Sequence, residues 1–194
     1  MKTKLFYTTI ALFVVFSLSA QEAKYELKSA VIKKTMEMMG QKFEGTQCFD
    51  DYGKNESVTF SMQMQGANTT MRTVIKGTVF TTLNMDNKTG FRATMPEAPI
   101  NYLNLTQEIR DKYKVKELGE ETIIGKPCKK YSAQMSQMGQ DVSVTTWVWK
   151  GIALKTISST NNMAMAEEAT EIQENAAIDA ANFAIPDDFN ITEM

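Results

Sequence analysis

Between residues 58 and 65 apolar and polar residues alternate one for one. Val58, Phe60, Met62 and Met64 fall on one side, and Thr59, Ser61, Gln63 and Gln65 on the other. A period of two belongs to a strand, whose side chains point in turn to opposite faces of a sheet. The pattern predicts that the four apolar residues turn to the concave side of a curved sheet and the four polar ones to solvent. A slip of one residue would exchange the two sets, so the register is well specified.

The same reading extends along the chain. Gly66, Ala67 and Asn68 form a turn, and Met71, Thr73 and Ile75 open a second alternating run that stops at Gly77. A third covers residues 79–85, and residues 86–90, Asp-Asn-Lys-Thr-Gly, are turn chemistry. Residues 91–95 return before Pro96 and Pro99. Residues 41–52 read as an earlier strand ended by an Asp- and Gly-containing turn. Downstream, strands are expected at 127–135, 142–149, 152–159 and 164–173, with Lys150-Gly151 as a turn. Leu105, Ile109 and Tyr113 have helical spacing, so residues 104–113 are expected to form a short helix capped by Asn104. Residues 26–39 fit either element: Leu27, Ala30, Val31, Lys34 and Met38 make a helical face, and Ala30, Ile32, Met36 and Met38 a strand face. Helix propensity alone favours the helix. About ten strands at spacings of about 8–12 residues make a mainly β fold: a single antiparallel, strongly curved sheet or half-open barrel with few short helices.

Residues 1–20 stand apart. Lys2 and Lys4 precede an apolar run over residues 5–18, and small Ser19 and Ala20 precede Gln21. This is the layout of a secretory signal peptide, with an apolar run of roughly 14 residues where a spanning helix needs about 20. Cleavage is expected at or near Gln21, leaving residues 21–194 as one domain in the periplasm or outside the cell, without a membrane-spanning segment. An uncleaved anchor is the alternative reading.

Without Lys2 and Lys4, 19 basic residues face 23 acidic ones, a net charge of about −4. With no basic block, nucleic-acid binding has no electrostatic basis. The chain has no histidine, which excludes Ser-His-Asp and Cys-His catalysis and His-ligated metal sites. Cys48 and Cys128 are the two cysteines. In an oxidising compartment a pair is expected to bond, and closing a loop of about 80 residues would contribute roughly 4 kcal/mol. Two buried free thiols are the alternative, and neither cysteine has a histidine to activate it.

Several segments are similar to an exported bacterial family of unknown function. They are residues 24–30 (Lys-Tyr-Glu-Leu-Lys-Ser-Ala), 49–53 (Phe-Asp-Asp-Tyr-Gly), 124–131 (Ile-Gly-Lys-Pro-Cys-Lys-Lys-Tyr), 147–152 (Trp-Val-Trp-Lys-Gly-Ile) and 183–186 (Phe-Ala-Ile-Pro). That family resembles, more distantly, the lipoprotein-carrier, LolA-like fold, a half-open antiparallel barrel whose concave face is covered by helices and holds acyl chains. The resemblance implies that residues 26–39 begin the sheet as a strand. The chain departs from the carriers in lacking an amphipathic helix before that strand, so lipoprotein transport itself is not implied.

Thirteen methionines follow the leader. Flexible and polarizable, they suit a cavity for varied apolar ligands as well as an ordinary core. The pairs Met62/Met64, Met135/Met138 and Met163/Met165 are thioether candidates for a soft metal such as Cu(I), although core packing explains them equally and no metal or cofactor is called for. Trp147 and Trp149 share a strand face, either as a stacking platform or as an aromatic layer on the sheet. Asp50-Asp51 reads as a turn, because neighbours in a strand point apart. Glu120-Glu121 and Glu167-Glu168 read as solvated charges. The expected function is non-enzymatic: binding an apolar or lipid ligand on the concave face at Val58, Phe60, Met62 and Met64. The alternative is a filled structural module whose partner is an envelope protein.

Overall fold

The computed structural model describes residues 23–64, 67–95, 97–137, 140–160 and 164–194, and for 63, 64, 67, 136, 137 and 140 it describes the backbone alone. Residues 1–20 lie outside the described residues.

One open, curved sheet of twelve strands carries the fold. Its first half is an antiparallel meander: β1 (Ala30–Met38), β2 (Gln41–Asp50), β3 (Asn55–Met64), β4 (Ala67–Lys76), β5 (Val79–Asn84) and β6 (Thr89–Thr94). Its second half is another: β7 (Lys116–Ile123), β8 (Lys126–Gln137), β9 (Gln140–Trp149), β10 (Ile152–Ser159) and β11 (Ala164–Glu174). The meanders meet where β1 pairs with β11, and a short β12 (Asn190–Glu193) runs parallel to β6 at the far edge. Within the ambiguous segment at 26–39, residues 30–38 form a strand, as the family resemblance implies.

The expected helix is shorter and starts later. It spans Gln107–Lys112 (α1) and is capped by Thr106, whose hydroxyl accepts the Ile109 amide at 3.3 Å. A side chain at Asn104 stands too far ahead of the first turn to take that amide. β4 begins at Ala67, so Ala67 and Asn68, expected in a turn, belong to the strand, and Gly66 lies outside the described residues. Gly151 shows why the β9–β10 connection needs two residues. Lys150 and Gly151 both adopt positive φ, 51° and 81°, the twist of a tight hairpin. A Cβ on Gly151 would also meet the Lys24 carbonyl at 2.4 Å. That close approach lets Glu26 N–H bond the Lys150 carbonyl at 3.1 Å, tying the segment before β1 to this turn.

Register defines the two faces. Directly opposed residues share a face, so Ile32, Gln47, Val58, Thr73, Thr82 and Phe91 lie in one row across β1 to β6. The adjacent row is Ala169, Lys34, Gly45, Phe60, Met71 and Asn84. These rows belong to what is here called the Phe60 face. Cys48, Ser57, Val74 and Thr81 make a row of the opposite, Ser57 face. The main core joins Leu27, Ala30, Ile32, Phe49, Ile123, Cys128, Trp147, Ile152, Leu154 and Ala169. A second cluster packs Ile100, Tyr102, Leu105 and Tyr113, from the connection around α1, against Tyr131, Ala133 and Val148.

Candidate functional site

β3 carries the expected site. Val58, Phe60 and Met62 project from one face, as the alternation requires, and all three are half-buried. Their neighbours on that face, Met71, Ile75, Phe80 and Phe91, are half-buried too, and Phe80 meets Phe91 edge-on at 5.9 Å. For Met64 and Gln63 only the backbone is described, and Gln65 lies outside the described residues.

The opposite face of these strands differs in a way the pattern did not announce. Ser57, Val74, Thr81 and Leu83 are buried there, beneath the chain that follows β11. A 3-10 turn at Ala180–Phe183 packs against β3 and β4. Phe183 is buried, and Arg72 donates to the carbonyls of Ala181 and Ala184 at 3.5 and 3.4 Å. β12 holds the end of this strap, with Lys88–Asp188 at 2.6 Å and Arg92–Glu193 at 2.7 Å beside it. Polar Thr59 is consequently half-buried and Ser61 exposed: the two sides of β3 are not a buried apolar side and a wet polar one.

Polar groups are built into the Phe60 face beside the apolar strip. Lys34, buried, donates to Glu167 Oε1 at 2.5 Å. Reading Glu167-Glu168 as two solvated charges is corrected by this pair: the neighbours point apart, Glu167 toward Lys34 and Glu168 toward Lys155 at 2.9 Å. The signal was present in the sequence, since Lys34 falls between Ile32 and Met36 on one strand face and a cation there requires an acidic partner. Tyr25 packs on Phe49 at 4.3 Å between ring centroids and donates its hydroxyl to buried Glu56 at 2.6 Å. Burial first, then the nearby Glu56 charge, pushes the Tyr25 phenol well above its ordinary value. Gln47 is buried, and its side-chain oxygen has no hydrogen-bond partner. An open groove of about 690 Å³, lined by residues that include Phe43, Ser61 and Met62, lies at the end of these strands.

The disulfide does not form. Cys48 and Cys128 are free, buried thiols, one on β2 against Ser57, the other on β8 in the main core. β1, β11, β10 and β9 lie between their strands in the sheet order. Burial pushes both thiols up, which disfavours the reactive thiolate. Counting cysteines gave an even number but carried no information on which strands they occupy.

Trp147 and Trp149 share a face, but Trp147 is 4% exposed and donates its indole N–H to Glu121 at 2.7 Å. Lys130 and Lys155 lie over its ring at 4.5 and 5.3 Å, and Lys126 and Lys150 over Trp149 at 4.6 and 4.5 Å. The rings are an aromatic layer covered by lysines, so no open stacking platform remains. The Trp147 N–H, helped by Lys130, holds the Glu121 carboxyl below its usual range. Asp50 and Asp51 are turn residues: Asp50 accepts from Asn55 at 2.6 Å and Asp51 pairs with Lys54 at 3.0 Å. Among the described residues no group of three or more His, Cys, Asp or Glu could hold a metal ion. Of the thioether pairs, Met138 and Met163 lie outside the described residues.

No family model and no curated protein matches the chain. Solved structures do share the fold. An uncharacterized conserved protein from Thermus thermophilus superposes with a TM-score of 0.58 at 9% identity, covering 87% of this chain and 92% of that one. MucB in the Pseudomonas aeruginosa MucA/MucB complex gives 0.53 at 13% identity, covering 88% of this chain and 59% of that one, so this chain spans well under two thirds of its length. An outer membrane lipoprotein-sorting protein domain from Vibrio parahaemolyticus is also among the matches, at 0.43 and 11% identity, with 83% of this chain and 92% of that one covered. The chain therefore shares its open, curved β-sheet with the first two of these structures. At these identities the likeness shows the fold alone. No helix of the described residues is long and apolar enough to cross a membrane.

Proposed function

We propose that the chain is an exported cell-envelope protein that binds an apolar or lipid ligand, without catalysis, on the Phe60 face. On this reading residues 1–20 are removed on export and residues 21–194 act as one LolA-like β domain in the periplasm or outside the cell. The observation that carries the proposal is the asymmetry of β3 to β5. The strap seals Ser57, Val74, Thr81 and Leu83 on one face, while Val58, Phe60 and Met62 stay half-exposed on the other. Leaving a row of large apolar side chains in partial contact with water has a cost of about 25 cal/mol per Å², and a ligand laid along the row removes it. Met62, flexible at its thioether, adapts to chains of different shape. The lack of histidine and the raised thiols favour binding over chemistry.

A second reading has its own support. MucB, a structural neighbour, was solved in complex with MucA, so the partner on this face could be a segment of an envelope protein. Native mass spectrometry of protein purified from its own host separates the two. A bound small molecule of lipid mass supports the first reading and a co-purifying polypeptide the second. N-terminal sequencing of the same sample tests export: a chain starting near residue 21 is expected, and a membrane-embedded chain starting at Met1 overturns it.

A further inference from the structure

Methionine gathers at one end of the sheet. The β1–β2, β3–β4, β5–β6, β8–β9 and β10–β11 hairpins all turn there. Each has methionine in its turn or close beside it: Met38, Met62, Met85, Met135 and Met165 in that order. The turns at the other end, residues 50–55, 76–79, 123–126 and 149–152, have none. Strand positions favour β-branched and aromatic side chains, and fixing a methionine side chain costs more rotamer entropy than fixing leucine or isoleucine. What methionine has and leucine lacks is the thioether. Register draws three thioethers together. Met36 and Met38 follow Lys34 on the Phe60 face of β1, with Met38 directly opposite Met165 of β11 and Met36 opposite Glu167. Opposed Cα atoms lie about 4.5–5.5 Å apart, and a strand rises about 3.3 Å per residue, so the three flexible side chains start within reach of one point above the seam. All three are half-buried. Their β2 partners, Gln41 opposite Met38 and Phe43 opposite Met36, line the open groove of about 690 Å³, so the cluster borders on solvent.

We propose that Met36, Met38 and Met165 bind a single soft monovalent cation, Cu(I), at the groove end of the Phe60 face. Neutral, polarizable thioether sulfur selects Cu(I) over harder ions. The charges beside it on this face, Lys34 and Glu167, pair at 2.5 Å and cancel. The two cysteines stand elsewhere, Cys48 on the strap-covered face and Cys128 in the main core, and burial disfavours the thiolates that would compete for the ion. The spacing of methionines along the chain does not reveal the site, because Met38 and Met165 meet through the pairing of β1 with β11. The site is independent of the apolar-ligand reading, since it lies on those two strands and not on the β3 strip.

The test titrates the full mature chain without oxygen with Cu(I), kept reduced by ascorbate, against a chromophoric Cu(I) chelator. A single Cu(I) per chain is expected. Its affinity should stay level from about pH 5 to about pH 8, because a thioether has no proton to displace, whereas a thiolate site tightens as pH rises. Met36→Leu, Met38→Leu and Met165→Leu keep volume and apolarity. Each should weaken binding about tenfold or more, the equivalent of about 1.4 kcal/mol. Met95→Leu, beside Thr78 at the opposite end of the sheet, should leave it unchanged, as should Cys48→Ala with Cys128→Ala. In the unaltered protein, the methyl NMR signals of Met36, Met38 and Met165 should shift on addition of Cu(I) while that of Met95 stays. Absence of binding overturns the proposal, as does binding that survives the three leucine variants or is lost with the cysteines while the chain stays folded. Methyl shifts confined to other methionines overturn it too.

Discussion

The Phe60 ring occupies the space that a side chain at position 45 would need. A Cβ on Gly45 would stand 2.3 Å from Phe60 Cδ1 and 2.8 Å from the Thr59 carbonyl oxygen. Gly45→Ala should therefore destabilise by about 1–3 kcal/mol, the range of overpacked sites. Phe60→Leu in the same background should recover part of that loss, the carbonyl contact retaining the rest. Urea unfolding of the two single variants and the double variant measures the coupling, and simple additivity would show that the ring is not what fills the space.

The two faces of β3 to β5 should respond differently to truncation. Leu83 is fully buried under the strap, so Leu83→Ala should cost about 2–5 kcal/mol. Met62 is half-exposed and has fewer packing contacts to lose, so Met62→Ala should cost about 1 kcal/mol or less while altering uptake of an apolar fluorescent probe. A large loss at Met62 with no probe binding in either protein would identify a close-packed face and leave the filled structural module.

Removing one partner of the Lys34–Glu167 pair leaves a buried ammonium without its counter-charge. Glu167→Ala is expected to cost about 3 kcal/mol, and Lys34→Met combined with Glu167→Leu to restore most of it. Thermal unfolding of the three variants checks this, and a Glu167→Ala protein as stable as the parent would show that water reaches Lys34.

Stability should fall at both ends of the pH scale. Glu97, Glu121, Glu174 and Asp188 are held below their ordinary values, the first three by Lys112, Trp147 and Lys126 and the last by Lys88. Folded values lower than unfolded ones give stability that is present above about pH 4.5 and lost as pH falls through the folded values. Added salt should flatten that limb, because the lysine pairs are exposed. Tyr25 shifts the other way, so its contribution is present below about pH 10 and lost as pH rises toward its folded value. Chemical denaturation from about pH 2 to about pH 12, the span of these titrating groups, should show both limbs, with the alkaline one reduced in Tyr25→Phe.

Both thiols should be free and slow to react. Mass mapping under non-reducing conditions is expected to recover Cys48 and Cys128 unpaired, and alkylation at neutral pH to proceed well below the rate of the unfolded chain, since burial raises both thiols. Deleting residues 177–194 should speed alkylation of Cys48, which shares the strap-covered face, and spare Cys128. A 48–128 disulfide in the folded protein would require a different pairing of strands.

The nine strands expected from alternation and turns are all present, because each has a side that needs covering and turn residues to bound it, and so is the strand within residues 26–39 that the family resemblance implied. The two that escaped notice are the sheet's margins. β7 carries Lys116, Glu117, Glu120 and Glu121 and buries just Ile123, so its sequence holds no apolar period. Such charges suit a margin, where they discourage pairing with other chains. β12 has four residues and exists because β6 is there to receive it. The site was legible in part. Alternation placed Val58, Phe60 and Met62 together, but could not say which side of β3 a distant strap would cover, since Phe183 lies more than a hundred residues along the chain. Likewise, Glu167 became the partner of Lys34 through the β1–β11 register, a relation 133 residues apart.

That register has a kinetic meaning. Within each meander the strands pair with their sequence neighbours, so loops close cheaply and early. The seam between β1 and β11 must join residues such as Lys33 and Glu171, 138 positions apart, and pays the full entropy of the intervening chain. During synthesis the first meander is complete while β11 is still to come, and through that interval β1 presents a bare edge of Ala30 to Met38. Refolding should then show a slow final phase that Lys33, Glu171 and their neighbours report and the β3–β4 hairpin does not, and the half-formed protein is most prone to aggregate along this seam.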